Sequence, residues 1–349
     1  MTLFDWYHKI FQDYSLWKYY SEMTISEELQ FSENFCRKFI NQFLQSGLKV
    51  PIPSDFSKKR VIHTFSVYLL GIILFNMVLG GNGYKNAERR ALLHQWFLIC
   101  FYHDVGYIYE NTSQWRKSDC SVRYGIGKII ENIPQSLSSV INKNNVYHYW
   151  LYRKKQIKNY SNIRGVDHGI SGGLKMLKDL NRKHNALLEK LIKEFPNEDV
   201  SNQKFPGTNI HLNNNAFPFA ASIIAIHNIW LGKATDAEKY EENGMKSLVG
   251  KKYDFNQDAL LFWVLQIADT LEPIKKLPDD LTTPEIDRLL QSIDLDLSLY
   301  SISISCREEK GRFDYSSWLS NCEGMKDWTN IEVECSSDKT ITLTIPQTK

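Results

Sequence analysis

The residues of this chain most able to do chemistry are histidines and aspartates that lie within otherwise apolar helical patterns. In the segment ERRALLHQWFLICFYHDVG, the stripe of Leu93, Trp96 and Cys100 leads at steps of three and four to His103. Side chains at this spacing share one face of a helix. We therefore expect His103 to face the protein core, next to Asp104.

The same spacing places three further side chains on apolar helical faces: His63 before Val67, His227 after Ala220 and Ile223, and Asp269 after Phe262 and Leu265. His94 is predicted to face away from this set and not to bind metal, because it is about half a turn out of phase with His103. A buried carboxylate without a partner costs several kcal/mol. Taken singly, each residue fits a core hydrogen bond or a helix cap. The whole set favours a metal site.

Five pieces of sequence carry these residues in the order H…HD…H…H…D: RVIHTFSV, FYHDVG, VDHGI, IHN and IADT. This order resembles the HD superfamily of metal-dependent phosphohydrolases. The resemblance covers about residues 58–275 and includes the ligand candidates His63, His103, Asp104, His168, His227 and Asp269.

The resemblance implies a role for each of these residues. It implies a first metal held by four of them: His63, His103, Asp104 and Asp269. His168 and His227 would bring in a second metal, with Asp104 as the bridging and catalytic residue. Imidazole and carboxylate ligands suit Mn, Fe, Co, Ni or Zn. Two such divalent ions would hold a hydroxide that attacks a phosphoester and would stabilise the leaving oxygen.

The implied activity is that of a phosphohydrolase or phosphodiesterase acting on a small phosphorylated substrate, a nucleotide or cyclic nucleotide. Two alternatives stay open. The same ligands resemble those of di-iron HD oxygenases, and an HD module can also bind nucleotides without catalysis. The intact ligand set argues against the non-catalytic module.

The cations that would neutralise a phosphate are less well defined. The segment after the HD pair, HDVGYIYE, has no basic residue before Arg116, although many relatives have one there. We select Arg123, Lys128 and Arg164 as substrate-binding candidates. A basic run at 153–158 has tyrosines and a tryptophan close by. It fits either a solvated helix face or a surface for a nucleotide or nucleic acid.

Two features near His168 have alternative interpretations. Asp167 could orient a neighbouring histidine or cap the next helix. The segment 169–173, GISGG, allows close approach of the backbone to a ligand or to another helix. It is not a Walker phosphate-binding loop, because it lacks the lysine and the preceding strand.

The elements that must position these residues are predicted to be mostly helical. Apolar periodicity predicts helices at about 26–46, 57–79, 86–105, 168–183, 217–231 and 256–271. Residues 107–165 are polar and aromatic and are expected to be irregular and to cover the site. The fold class is thus mainly α, an HD-domain helical bundle with a small C-terminal α/β appendage.

Three domains follow from this pattern: an N-terminal helical extension at 1–57, the HD metal-binding domain at 58–285 and the appendage at 290–349. In the appendage, alternating patterns at 297–305, 329–337 and 339–346 predict strands, and 315–328 predicts a helix. The appendage could serve dimerisation, substrate gating or partner docking, so a homo-oligomer stays open.

The bulk composition points to a folded soluble protein. A net charge of +2 gives no general reason to expect binding to nucleic acid or to an anionic membrane. The 6 cysteines include no C-x-x-C pair, and no secretory leader is recognisable, which together favour a reducing cytoplasmic location. Residues 61–80 lack charge and are long enough to span a bilayer. A buried core helix is hydrophobic on all sides too, and we favour that interpretation.

Overall fold

The computed structural model describes residues 1–13, 28–44, 56–80, 83–110, 115, 117–161, 166–196, 200, 216–307, 312–336 and 340–346. The protein is mainly helical, with a small four-stranded antiparallel sheet near the C-terminus, as the sequence predicted. The α-helices are α1 Leu3–Gln12, α2 Glu33–Leu44, α3 Lys58–Met77, α4 Asn86–His103, α5 Asp119–Ile130, α6 Gln135–Ser138, α7 Lys143–Ser161, α8 His168–Glu194, α9 Ala216–Ile226, α10 Ala237–Glu242, α11 Leu260–Leu271, α12 Thr283–Ser292, α13 Tyr315–Glu323 and α14 Met325–Trp328. The strands are β1 Ile293–Ser298, β2 Ser301–Cys306, β3 Glu332–Cys335 and β4 Thr340–Thr344.

The chain forms two compact units, each built from segments that are distant in sequence. The first unit comprises Met1–Phe43, Phe56–Leu93 and Lys252–Lys349, and the second comprises Leu44–Asp55 and His94–Lys251. The boundary falls inside α4. The three-domain division expected from the sequence stays a prediction.

Helix α3 forms the middle of the first unit. It begins after Ser57, whose side chain accepts a hydrogen bond from the backbone N–H of Arg60. Its length and composition would suit a membrane span, but 89% of its 18-residue apolar window is buried inside the protein. One of its buried polar groups, the Ser66 hydroxyl, lies 2.9 Å from the hydroxyl of Tyr7. This is the environment of a core helix in a soluble protein.

The C-terminal sheet has the strand order β1-β2-β4-β3, with every pair antiparallel. The sequence prediction of one strand over 297–305 is wrong: this segment contains a tight hairpin between β1 and β2. The turn passes through Tyr300, whose φ is 63°. Alternation carries through the turn, so the pattern alone did not reveal it. The helix predicted at 315–328 is confirmed as α13 and α14.

The largest error of the sequence prediction lies in the second unit. Of residues 107–165, expected to be irregular, most of the described part is helical, in α5, α6 and α7. Helix α7 has the sequence KNNVYHYWLYRKKQIKNYS, in which aromatic and polar residues are mixed and aliphatic residues are few. Its buried side chains include Tyr149 and Trp150, which a search for aliphatic periodicity does not find.

Helices α8 and α9 pack closely in the second unit because small residues lie where they meet. A Cβ on Gly173 would lie 2.5 Å from the backbone oxygen of Ala221 and 3.1 Å from the Cβ of Ala225. The glycines of 169–173 thus serve approach to a neighbouring helix, which was one of the two interpretations of this segment.

Candidate metal centre

In the second unit, three histidines from separate elements lie side by side. His103 ends α4, His168 begins α8, and His227 follows the last residue of α9. The ring centroids of His103 and His227 are 5.6 Å apart, and those of His168 and His227 are 5.3 Å apart. His103 is fully buried, and its Nε2 lies 3.3 Å from Oδ1 of Asp104.

Two of these rings are held by the helix that carries them. Nδ1 of His103 lies 2.5 Å from the carbonyl oxygen of Cys100, and Nδ1 of His227 lies 2.6 Å from that of Ile224. A carbonyl oxygen can only accept, so each Nδ1 carries the proton. Each Nε2 therefore keeps the lone pair that a metal ion needs.

Glycines bring the histidine-bearing backbones together. A Cβ on Gly106 would lie 1.8 Å from the backbone oxygen of His168, and one on Gly169 would lie 3.1 Å from the ring of His227. The turn at 105–108 also places the Tyr107 ring in a stack with His168, at 3.8 Å between centroids. Gly106 of the HDVG sequence and Gly169 thus allow the backbone to come close to His168 and His227, respectively.

The third histidine is flanked by buried carboxylates. Nδ1 of His168 lies 3.3 Å from Oε2 of Glu110, whose Oε1 accepts a hydrogen bond from Nη2 of Arg153 at 3.1 Å. Asp167 lies on the other side of His168 in sequence and is completely buried. It both caps α8, accepting from the backbone of Ile170 at 2.9 Å, and accepts from the Asn228 side chain at 2.7 Å. Of the two roles weighed for Asp167 from the sequence, the helix cap is therefore seen, and the orientation of a histidine stays a prediction.

Burial and neighbouring charges shift the pKa values of these residues in opposite directions. Burial lowers the pKa of His168, but the hydrogen bond and charge of Glu110 and the charges of Asp167 and Asp104 outweigh it, so that the net shift is upward. Burial raises the pKa of Glu110, yet His168 and Arg153 bring it below its usual value. The pKa of Asp167 is raised by burial.

The first unit holds a second pair of predicted ligands. Nε2 of His63 lies 3.2 Å from Oδ1 of Asp269, and its Nδ1 lies 2.6 Å from Oε2 of the fully buried Glu272. Backbone N–H groups of Ile274 and Lys275 donate to the two oxygens of Glu272 at 3.0 and 3.1 Å. The Lys275 ammonium donates to Oδ1 of Asp269 at 3.2 Å.

Both histidine–aspartate pairs have separations suited to a shared ion. Ligand atoms about 2.1 Å from one ion, at coordination angles near 90–110°, lie roughly 3.0–3.4 Å apart. The pairs measure 3.3 Å for His103 and Asp104 and 3.2 Å for His63 and Asp269. Nitrogen and carboxylate oxygen donors match Mn, Fe, Co, Ni or Zn. The residues present therefore fit the predicted class of metal.

The predicted phosphate contacts lie elsewhere or outside the described residues. Arg123 and Lys128 lie on the exposed side of α5: the Arg123 guanidinium is 5.3 Å from the Tyr147 ring centroid, and Lys128 is 3.9 Å from Glu131. Arg116 and Arg164 lie outside the described residues, as does the side chain of Lys158 from the basic run.

His94 was expected to face away from the other candidate ligands and not to bind metal, which stays a prediction, but its helical phase did not indicate that it is buried. Only 6% of it is exposed, and burial lowers its pKa to about 4. Residues out of phase with one apolar face can still be buried when a helix is covered on several sides.

Sequence reasoning missed the glutamates that contact the Nδ1 atoms of the histidines and the cations that pair with carboxylates of these clusters. Glu110 and Glu272 each contact a histidine Nδ1, while Arg153 and Lys275 each pair with a carboxylate of these clusters. Glutamate and lysine are usually solvated, so composition gave no signal. Their position in the sequence was a usable signal, because Glu272 follows Asp269 by about one helical turn and Lys275 by about two.

The resemblance to the HD superfamily rests on these residues alone. Comparison of the chain with protein-family models, with curated protein sequences and with solved structures finds no match.

Proposed function

We propose that this chain is a metal-dependent phosphohydrolase of the HD type, binding two divalent transition metal ions through His63, His103, Asp104, His168, His227 and Asp269. The observation that carries the proposal is shared by all four histidines. Each has an acceptor near its Nδ1: a backbone carbonyl for His103 and His227, and a glutamate for His63 and His168. Nδ1 of His168 also lies 3.4 Å from Nδ2 of Asn228. When Nδ1 carries the proton, Nε2 has the lone pair with which a histidine binds a metal ion.

The metal ions would lower the pKa of a water and neutralise phosphate charge. The residues of the chain would do the rest. Asp104 supplies a buried carboxylate next to His103, and the Nδ1 bonds fix the direction of each imidazole before substrate arrives. Such fixed ligands cost no reorganisation during the reaction.

The proposed substrate is a small phosphoester, a nucleotide or cyclic nucleotide, and the proposed location is the cytoplasm. The 6 cysteines, all within the described residues, form no disulfide with one another, which agrees with a reducing compartment. Aromatic rings close to the histidines support a base-bearing substrate: Tyr107 stacks on His168, and Trp230, three residues after His227, is 58% exposed.

The alternative is a di-iron oxygenase, which the same ligands would suit. One observation favours it. Arg153 and Lys275, two cations within the histidine clusters, are already paired with carboxylates, which reduces the positive charge offered to a phosphate.

Metal analysis tests the proposal first. Protein purified without chelator should contain about two transition metal ions per chain, the ratio of a two-metal site. His227→Ala should lose metal. His8→Ala is the matched control, because Nδ1 of His8 also lies against a carbonyl of its own helix, that of Phe4, at 2.9 Å. Absence of metal and of metal uptake in the wild type would contradict the proposal.

A substrate screen then separates the two chemistries. Nucleoside phosphates, deoxynucleoside triphosphates and cyclic nucleotides are incubated with the protein and Mn²⁺, Co²⁺ or Ni²⁺. We expect release of phosphate or of a nucleoside monophosphate from at least one of them. Oxygen uptake by the Fe²⁺-loaded protein on an organic substrate, without any such product, would favour the oxygenase.

A further inference from the structure

Arg153, in the middle of α7, is held on three sides by partners within the second unit. Its Nη2 donates to Oε1 of Glu110 at 3.1 Å, and its Nε lies 3.8 Å from Oδ2 of Asp167. Its guanidinium also lies 4.9 Å from the centroid of the Trp230 ring. Its own side chain is 18% exposed, so the two carboxylates share a cation that water reaches poorly.

The two carboxylates are the ones that flank His168. Glu110 uses one oxygen for Arg153 and the other for Nδ1 of His168, at 3.3 Å. Asp167 directly precedes His168 and fixes the start of α8 by accepting from the backbone N–H of Ile170. Arg153 therefore contacts the carboxylate that lies against Nδ1 of His168. It also lies near Asp167, which accepts from Asn228, whose Nδ2 is 3.4 Å from the same Nδ1.

We infer that Arg153 is a positioning residue that, by anchoring Glu110, holds His168 with its proton on Nδ1 and its Nε2 available for a metal ion. The consequence for metal binding rests on the proposed function. The consequence for the imidazole does not, because it follows from the contacts within this cluster.

The reason is the donor and acceptor inventory of the chain of contacts. Arginine can only donate, so it orients the Glu110 carboxylate with one oxygen towards itself and the other towards His168. Without Arg153, Glu110 and Asp167 would be two buried anions with reduced compensation. Glu110 would then be free to turn towards water, and Nδ1 of His168 would lose its acceptor.

A substrate-binding role suits Arg153 less well. A guanidinium that recognises phosphate offers its planar fork to the ligand. Here Nη2 already donates to Glu110, Nε lies 3.8 Å from Asp167, and Trp230 lies against the guanidinium.

The test uses two readouts on the full chain. The first is the ¹⁵N chemical shift of the His168 imidazole in metal-free protein labelled at histidine, which reports which nitrogen carries the proton. The second is the affinity for Co²⁺, measured by its visible absorption. Arg153→Met should move the proton towards Nε2 and weaken Co²⁺ binding roughly 10–100-fold, as for other groups that support a ligating histidine. Arg153→Lys should recover part of both.

Lys154→Met is the matched control. Lys154 is the next residue on the same helix and also loses an ion pair, at 2.7 Å to Asp119. We expect it to behave like the wild type in both readouts.

Glu110→Gln keeps the side-chain volume and tests the inference even if Arg153→Met does not fold. In Glu110→Gln the amide oxygen must face Arg153, so the amide NH₂ faces His168 and Nδ1 has to accept. This variant should therefore carry its proton on Nε2. Adding Arg153→Met to Glu110→Gln frees the amide oxygen to face His168 and should return the proton to Nδ1.

Two results would overturn the inference. One is Arg153→Met with the wild-type tautomer and the Co²⁺ affinity of Lys154→Met. The other is Glu110→Gln with the proton still on Nδ1. A wild type that binds no Co²⁺ would contradict the proposed function instead, and the tautomer comparison would still decide the role of Arg153.

Discussion

The sequence analysis assigned chemistry to two parts of the second unit, and these two parts differ in burial and packing. Around His103, His168 and His227 the side chains are buried, and glycines bring backbones into direct contact. On α5, Arg123 and Lys128 lie on an exposed helix side, with an aromatic ring and a surface glutamate as partners. A residue of the first region cannot be replaced without moving its neighbours, whereas a residue on the exposed side of α5 can.

The comparison shows which sequence signals carry structural information. Buried polar residues must find partners, so a histidine on an apolar face constrains the fold around it. A basic residue on an amphipathic helix is satisfied by water and constrains little. Candidates of the first kind were brought together within each unit, and candidates of the second kind were not.

The largest effect on stability is expected when a single methyl group is added at Gly106. Gly106→Ala would place Cβ 1.8 Å from the backbone oxygen of His168, a contact that only a backbone shift can relieve. We expect a loss of unfolding free energy of about 3 kcal/mol or more, at the upper end for overpacking. Urea denaturation measures it.

Gly127→Ala, on α5, is the matched control. No atom lies within 4 Å of a Cβ built at this position. Replacing a helical glycine with alanine should stabilise the protein by about 0.5–1 kcal/mol. Equal effects of the two substitutions would remove the distinction between the regions.

Asp104→Ala should affect metal binding more than folding. Asp104 is buried and faces Nε2 of His103, so its loss removes a proposed ligand. We expect metal affinity to fall more than roughly 100-fold, beyond the range for residues that only support a ligand, and catalysis to be lost with it. Equilibrium dialysis and circular dichroism measure the two properties.

Asp119→Ala tests whether any lost carboxylate has this effect. Asp119 begins α5 and pairs with Lys154 at 2.7 Å, with 46% of its side chain exposed. We expect wild-type metal content. Loss of metal in both variants would mean that the assay reports general damage.

The next effect depends on pH and concerns His94. Burial lowers its pKa from 6.5 to about 4, so between these values the unfolded chain binds a proton that the folded chain does not. Stability is therefore unaffected above pH 6.5 and falls as the pH drops towards 4, by about 3 kcal/mol for this residue. His94→Leu should remove that part of the acid sensitivity, measured as urea unfolding at pH 7, 5 and 4. An unchanged slope would show that His94 is not protonated on unfolding in this range.

His94 also illustrates how far the sequence could predict this molecule. Helical phase correctly found the apolar stripe that ends at His103, and length and composition identified α3 as a helix. Phase could not show that α4 is buried on a second side, because that depends on elements distant in sequence. Glu110 and Glu272 were missed for the same reason: their histidine contacts join residues 58 and 209 positions apart, as the numbering shows.

The smallest effects are expected on α5. Arg123 contributes a cation–π contact at an exposed position, worth about 0.5–1 kcal/mol, and the 3.9 Å pair of Lys128 with Glu131 is an exposed ion pair of at most similar value. The double variant Arg123→Ala/Lys128→Ala should therefore lose no more than about 1–2 kcal/mol of unfolding free energy. Its KM for a phosphoester substrate should equal that of the wild type, because both cations lie on the exposed side of the helix with local partners. A several-fold rise in KM at unchanged kcat would instead support the assignment made from the sequence, and would mean that α5 contributes to substrate binding despite its exposure.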